Sequence, residues 1–252
     1  EANCPNLLEC FSQKKATFLA LGNKCTRSCN FCNVSFCKKP ESPDPNEPLN
    51  IANCAYDLKL KHVVITMVTR DDLPDRGALH IAKIIKMVKK KCKATIEVLT
   101  SDFSKRFDLI DLVLQEGPDI FNHNVETTKK LTKKIRNMAS YEDSLEILKY
   151  AKEFYQSGFN KSGFVKSGLM VGLGENVIDV KNTIKDLYFA GCDIITIGQY
   201  MQPNKKKYSI KEYIKPETFQ DFEKYGYDLG VKYMFSHPYV RSSYNADLVF
   251  KN

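Results

Sequence analysis

Three cysteines fall within eight residues, Cys25-Thr-Arg-Ser-Cys29-Asn-Phe-Cys32, with three and then two residues between them. Thiolates at such spacing on one loop read as metal ligands. A structural zinc site needs four ligands, usually as two close pairs. An obvious distant pair is lacking here, and Cys37 is the nearby candidate for a fourth ligand. A four-iron cluster held by only three thiolates keeps one iron open to a small molecule. Cys4 and Cys10 form a second group near the start, while Cys54, Cys92 and Cys192 are scattered and read as core thiols. An odd count of nine, crowded at one end of 252 residues, does not suit a secreted disulfide framework. No convincing His–Asp or Ser–His arrangement accompanies the thiols, so acid–base side chains are not the expected source of the chemistry.

The elements that must position these groups alternate regularly. Short apolar runs at 16–21, 62–68, 95–100, 119–125, 166–173 and 194–200 read as strands. Helical spacing appears at 78–91, 143–155 and 177–190, and Pro216 suits the first turn of a last helix. Six strands alternating with helices predict parallel βα units with right-handed crossovers. Six units rather than eight predict an open, partial (β/α)6 barrel of the α/β class. Reactive groups in such folds sit at the carboxyl ends of the strands. The polar clusters 25–32, 69–72, 122–126, 172–175 and 199–200 all fall there, which predicts one site at one rim. Residues 1–15 and 231–252 are expected as short extensions flanking the barrel at 16–230.

Hydrophobic residues make up 43% and charged residues 27%, an ordinary globular balance. No run approaches the roughly 18 apolar residues of a membrane span. The net charge is +8, with lysine clumps at 89–91, 129–130, 133–134 and 205–207 that read as solvated faces. No stacking or groove-reading module accompanies them, so nucleic acid is not an expected partner. The chain begins at Glu1 without Met or a leader and reads as a mature or trimmed fragment.

The CxxxCxFC loop after the first strand of a partial barrel resembles the radical S-adenosylmethionine superfamily. EANCPNLLEC, ATFLALGNKCTRSCNFC, VVITMVTRDDLPDRGA, DIFNHNVET, KSGLMVGLGE, TIGQYMQP and VRSSYNADL resemble, in order, the blocks of its lipoyl synthase family. The resemblance implies that Cys25, Cys29 and Cys32 hold a 4Fe–4S cluster whose open iron binds S-adenosylmethionine, the source of a 5′-deoxyadenosyl radical. It places Phe31 against the adenine and Asn124 and Glu126 at the ribose. Thr69 and Arg70, followed by Asp71 and Asp72, fall at the methionine amino and carboxylate groups, and Gly172 and Gly174 where the cofactor nears the backbone. Arg136 and Lys166 are candidates for a carboxylate or the substrate, and Gln199 and Tyr200 for the cavity wall. A second, auxiliary 4Fe–4S cluster is implied at Cys4, Cys10 and Ser242 or Ser243. Cys4 and Cys10 match the last two cysteines of the family's CxxxxCxxxxxC motif, whose first would precede Glu1.

The family's reaction inserts two sulfur atoms at carbons six and eight of an octanoyl chain. That chain is borne on a lysine of a carrier domain, of a 2-oxoacid dehydrogenase or of the glycine cleavage system. A reductant such as ferredoxin is implied. The alternatives are another sulfur-inserting radical enzyme of the biotin-synthase kind, and a non-catalytic iron–sulfur or zinc scaffold. The Lys-, Asn-, Ile- and Tyr-rich composition and the style of the blocks place the expected compartment in a plastid of the apicoplast type, with the mitochondrion as the alternative.

Overall fold

The computed structural model describes Cys4 and residues 6–158, 162–243 and 249–250. Tyr244 of the RSSY motif lies outside them. In chain order the elements are α1 (Leu7–Ser12), β1 (Lys15–Ala20), β2 (Lys24–Cys25), β3 (Ser35–Phe36), α2 (Glu47–Asp57), β4 (His62–Met67), α3 (Ala78–Lys91), β5 (Thr95–Leu99), α4 (Phe107–Gln115), β6 (Ile120–Asn122), α5 (Thr132–Ile135), α6 (Tyr141–Gln156), β7 (Phe164–Val171), α7 (Val177–Phe189), β8 (Ile194–Gln199), α8 (Pro216–Leu229) and β9 (Tyr233–Ser236).

The main sheet runs β1-β4-β5-β6-β7-β8-β9, and every neighbouring pair is parallel. Strand order follows chain order throughout, so each crossover moves one step the same way and the sheet curls as a partial barrel. β1 and β9 are its two edges and do not pair with each other. The inner strands are buried on both faces: β4 hides Val63, Val64 and Ile65, and every residue of β8 is buried. That double burial explains the unbroken β-branched runs. The helices cover the outer face. α3 buries Ile81, Ile84, Ile85 and Val88, each contributing about 1.5–3 kcal/mol.

Local chemistry sets the helix ends. Ser140 caps α6 by accepting from the Asp143 N–H at 2.9 Å, and Asn176 caps α7 through Asp179 at 2.8 Å. Pro216 opens α8, which ends at the left-handed Gly230.

The six expected strands are present, and the sheet gains a seventh. β9 is four residues long and lies inside the span expected as a carboxyl-terminal extension, too short to show a period. The expected strand at 119–125 ends earlier, at Asn122. Beyond it Glu126 takes a left-handed φ of 65° and meets Leu169 in an isolated bridge. This turn carries Asn124 and Glu126 over the sheet's carboxyl edge.

Candidate functional site

β2 and β3 pair over two residues, Lys24 with Ser35 and Cys25 with Phe36, and close the cysteine loop at its base. The Cys37 N–H donates to the Cys25 carbonyl at 2.9 Å and helps to close the loop. Each of the three loop sulfurs accepts a backbone N–H. Arg27 donates to Cys25 Sγ at 3.4 Å, Asn137 to Cys29 Sγ at 3.4 Å and Val34 to Cys32 Sγ at 3.5 Å. Burial pushes the Cys29 and Cys32 thiols above their ordinary pKa, and those N–H groups oppose it. All three cysteines line one cavity of about 340 Å³. Among the described residues no three His, Cys, Asp or Glu side chains converge closely enough for a single ion. Three thiols on one cavity, each accepting a backbone N–H and with no fourth close ligand among the described residues, suit a four-iron cluster held by three thiolates.

Arg27, between the first two cysteines, is 7% exposed and forks onto two carboxylates. Its Nε and Nη2 reach Asp71 at 2.8 and 2.9 Å, and its Nη1 and Nη2 reach Asp102 at 2.5 and 2.8 Å. Burial works against the Arg27 charge, but the hydrogen bonds to Asp71 and Asp102 outweigh it and raise the pKa above the ordinary value. Burial alone would push both carboxyls up, yet Arg27 holds them low. Asp71 follows β4 and Asp102 follows β5, so this fork pins the cysteine loop to two strand ends. Thr26 adds to it, donating from its N–H and Oγ1 to the Thr69 carbonyl, each at 3.0 Å.

The opposite wall comes from the turn after β6. Asn124 donates to Glu126 Oε1 at 3.2 Å, while its buried Oδ1 has no partner. Burial raises the Glu126 carboxyl, and Arg136 and Asn124 oppose the rise. Arg136 is held at the wall by Ser144 Oγ at 2.8 Å, and burial lowers its pKa while Glu126 opposes the fall. His123, behind them, sits between the Thr100 carbonyl and Ser144 Oγ, both at 3.1 Å. Burial, then the nearby Arg136, push its pKa down to about 4, so the imidazole is neutral at pH 7.

A second, smaller cavity adjoins the first and shares Phe31, Asn124 and Glu126 with it. Gly198, Gln199, Tyr200, Arg241 and Ser242 complete its far side. A Cβ at Gly198 would collide with the Val240 carbonyl, so only glycine lets the carboxyl-terminal segment close on β8. The two ends of the chain meet here. Asn6 Nδ2 donates to the Tyr239 carbonyl at 2.8 Å, and Cys4 lies near enough to Arg241 to act on its charge. Of the two candidate serines, Ser242 lines the cavity and Ser243 does not.

Cys25, Cys29, Cys32, Phe31, Thr69, Asn124, Glu126 and Arg136 therefore meet around the larger cavity, and Gln199 and Tyr200 line the smaller. Cys4 and Cys10 line neither cavity, and four of the residues expected at the cofactor or substrate are elsewhere. Arg70 is buried in a fork with Asp72, both contacts at 2.8 Å, and turns its guanidinium toward the Leu21 carbonyl. Lys166 is fully buried in an ion pair with Glu97 at 3.0 Å, where Asn122 also donates at 2.7 Å. It stands two residues before the cavity-lining Gly168, one pleat deeper in the barrel. Gly172, at a φ of 93°, gives its space to Gln199 and the Glu212 backbone, and Gly174 faces Lys211. These glycines seat the loop before α8 rather than border either cavity. Arg27, Asp102, Gly168 and Gly198 are the site residues that sequence reading passed over. A glycine inside an apolar strand was the available signal for the last two.

A family model described as the radical SAM superfamily matches residues 19–187. The lipoyl synthase of Protochlamydia amoebophila is 47% identical over 250 residues, 99% of this chain and 76% of its own length. That of Alkaliphilus metalliredigens is 49% identical over 247 residues, 98% of this chain and 83% of its own. This chain belongs to the lipoyl synthase family. Streptococcus suis SuiB bound to S-adenosylmethionine superposes with a TM-score of 0.68 over 88% of this chain and 50% of that one. At 12% identity this likeness concerns the fold alone. The lipoyl synthases also correct the expectation of compartment. Relatives at 47–49% identity come from the bacteria Protochlamydia, Alkaliphilus and Chlamydia. The style of the blocks is shared with bacterial lipoyl synthases and does not mark a plastid protein. Among the described residues no helix is long and apolar enough to cross a membrane.

Proposed function

We propose that this chain acts as a lipoyl synthase, converting a protein-bound octanoyl-lysine to the lipoyl group by inserting sulfur at carbons six and eight. The observation that carries this reading is the pair of adjoining cavities, one edged by the three loop thiols and the other by Ser242 and Arg241 beside Cys4. When bound, two 4Fe–4S clusters and S-adenosylmethionine supply the hydrogen-abstracting radical and the sulfur. Cys25, Cys29 and Cys32 would hold the first cluster, and Cys4, Cys10 and Ser242 the auxiliary one.

The chain's own residues bind, orient and shield. The unpartnered Asn124 Oδ1 and the Glu126 carboxyl offer hydrogen bonds to the two ribose hydroxyls. Phe31 stands where both cavities meet and suits an adenine face on one side and an alkyl chain on the other. Leu169, Met170 and Val240 line the smaller cavity with apolar surface fit for an octanoyl chain. An enclosed apolar wall matters because a carbon radical must meet the sulfur before it meets anything else. The carrier is a lipoyl-bearing domain of a 2-oxoacid dehydrogenase or of the glycine cleavage system, and the electron comes from a low-potential protein such as ferredoxin. The 46–49% identity to lipoyl synthases over nearly the whole chain favours this reading over a biotin-synthase-like enzyme.

Anaerobic reconstitution with iron and sulfide, then incubation with dithionite, S-adenosylmethionine and octanoylated carrier domain, tests the proposal. Lipoylated carrier with 5′-deoxyadenosine is expected. A fully loaded protein that cleaves the nucleotide yet returns only octanoyl carrier would refute it.

A further inference from the structure

A substrate carried on a protein has to be brought to the mouth of the site by that protein. The surface beside the mouth is unusual in its charge. α5 and the loop after β8 approach each other across the cysteine loop. Asn30 Nδ2 donates to the Lys134 carbonyl at 2.6 Å, the Tyr208 N–H donates to the Asn30 carbonyl at 2.9 Å, and Lys207 Nζ donates to the Cys29 carbonyl at 3.2 Å. Tyr208 lies between two ammonium groups, Lys134 at 5.2 Å and Lys211 at 5.4 Å from its ring. Lys133, Lys205 and Lys206 stand exposed on the same two segments.

Residues 127–141 and 201–211 contain no Asp or Glu, and neither do residues 27–40 of the cysteine loop. Among the described residues no ion pair joins Lys133, Lys134, Lys205, Lys206, Lys207 or Lys211 to a carboxylate. By contrast, Lys105, Lys129, Lys130, Lys152 and Lys232 are each paired. Six lysines without a carboxylate partner among the described residues, on two segments that meet at the cysteine loop of a chain with a net charge of +8, form a focused positive field. The exposed Met138, at a left-handed φ of 60°, projects from the same rim.

We propose that these six lysines form a docking collar for a carrier protein whose surface around the acylated lysine is acidic. The inference rests on the functional reading above and adds how the partner is chosen. The collar steers the carrier to the mouth and sets its orientation, so that the acyl chain enters between Phe31 and Tyr200. Such contacts act on encounter and selectivity and leave the chemistry inside unchanged.

The test compares two substrates on the reconstituted full chain: a folded octanoylated carrier domain of net negative charge, and a short octanoyl-lysine peptide of zero net charge. The triple variant K133E/K205E/K206E alters exposed lysines only. It is expected to raise KM and Kd for the carrier about tenfold and to leave KM for the peptide unchanged. Raising the salt should weaken carrier binding by the unaltered chain and have little effect on the variant. K133Q/K205Q/K206Q should fall between the two. Equal carrier affinity in all three proteins, or an equal KM rise for peptide and carrier, would overturn the collar. If no protein turns over either substrate while carrier binding still follows charge, the functional reading fails and the collar stands.

Discussion

The two cysteine groups of this chain are held in very different ways. The loop of Cys25, Cys29 and Cys32 is closed by a strand pair, carries an N–H donor on each sulfur, and is pinned through Arg27 to the ends of β4 and β5. The group at Cys4 and Cys10 sits on the short helix α1 and its approach, with no buried residue in that helix. A bond from Asn6 to the Tyr239 carbonyl ties it to the carboxyl-terminal segment. A cluster used again in every turnover needs the first kind of mounting. On the function proposed above, a cluster at Cys4 and Cys10 that gives up its sulfur would be better served by the second, because it would have to be dismantled and rebuilt.

The largest expected effect lies in the rigid mounting. Arg27→Gln would leave Asp71 and Asp102 facing each other, partly buried and uncompensated. A loss of about 3–5 kcal/mol in stability is expected, read by chemical denaturation. Cleavage of S-adenosylmethionine and lipoyl formation should fall together, because both need the loop in place. Near-normal cleavage would show that the fork is dispensable.

The pH profile of stability sharpens the comparison from the wall opposite the loop. His123 has an ordinary value of 6.5 and is pushed down to about 4 in the fold. Its contribution is complete above pH 6.5 and is lost as pH falls through about 4, because the unfolded chain binds the proton first. A decline of about 1 kcal/mol per pH unit is expected across that window. The carboxyls of Asp71 and Asp102, held low by Arg27, extend the loss to lower pH. His123→Gln should flatten the upper part of the profile. An unchanged slope would assign the decline to other groups.

Asn6→Ala tests the loose mounting. Losing that one bond should cost about 1 kcal/mol or less and leave cleavage of S-adenosylmethionine intact. Iron loss from the auxiliary site should quicken, as followed by chelator challenge. A chelation rate equal to that of the unaltered chain would mean that the Asn6–Tyr239 bond does not hold the two ends together.

The sequence made the thiols, the strand ends and the parallel order legible, because those signals are local. Cys25 to Cys32 occupy one loop, and Asn124 and Glu126 follow an apolar strand. Arg27 was opaque for a geometric reason. Its partners stand 44 and 75 residues away and meet it only through the register of β1, β4 and β5. Lys166 misled in the opposite sense. A lysine in an apolar strand suggests a ligand, and only the folded sheet shows Glu97 reaching it from β5, two strands away. Gly172 and Gly174 resemble a cofactor turn, yet the loop before α8 fills their space. Even Ser242 and Ser243, adjacent and identical, are separated only by which of them faces the cavity.

That last distinction gives the most direct test of two mountings serving two tasks. Ser242→Ala and Ser243→Ala are compared by measuring 5′-deoxyadenosine and lipoyl product from the same reactions. Ser242→Ala should keep the nucleotide cleavage and lose the lipoyl product by a factor on the order of 100, while Ser243→Ala keeps both. Equal loss of cleavage and product in Ser242→Ala, or full product formation by it, would contradict the division of labour between the two sites.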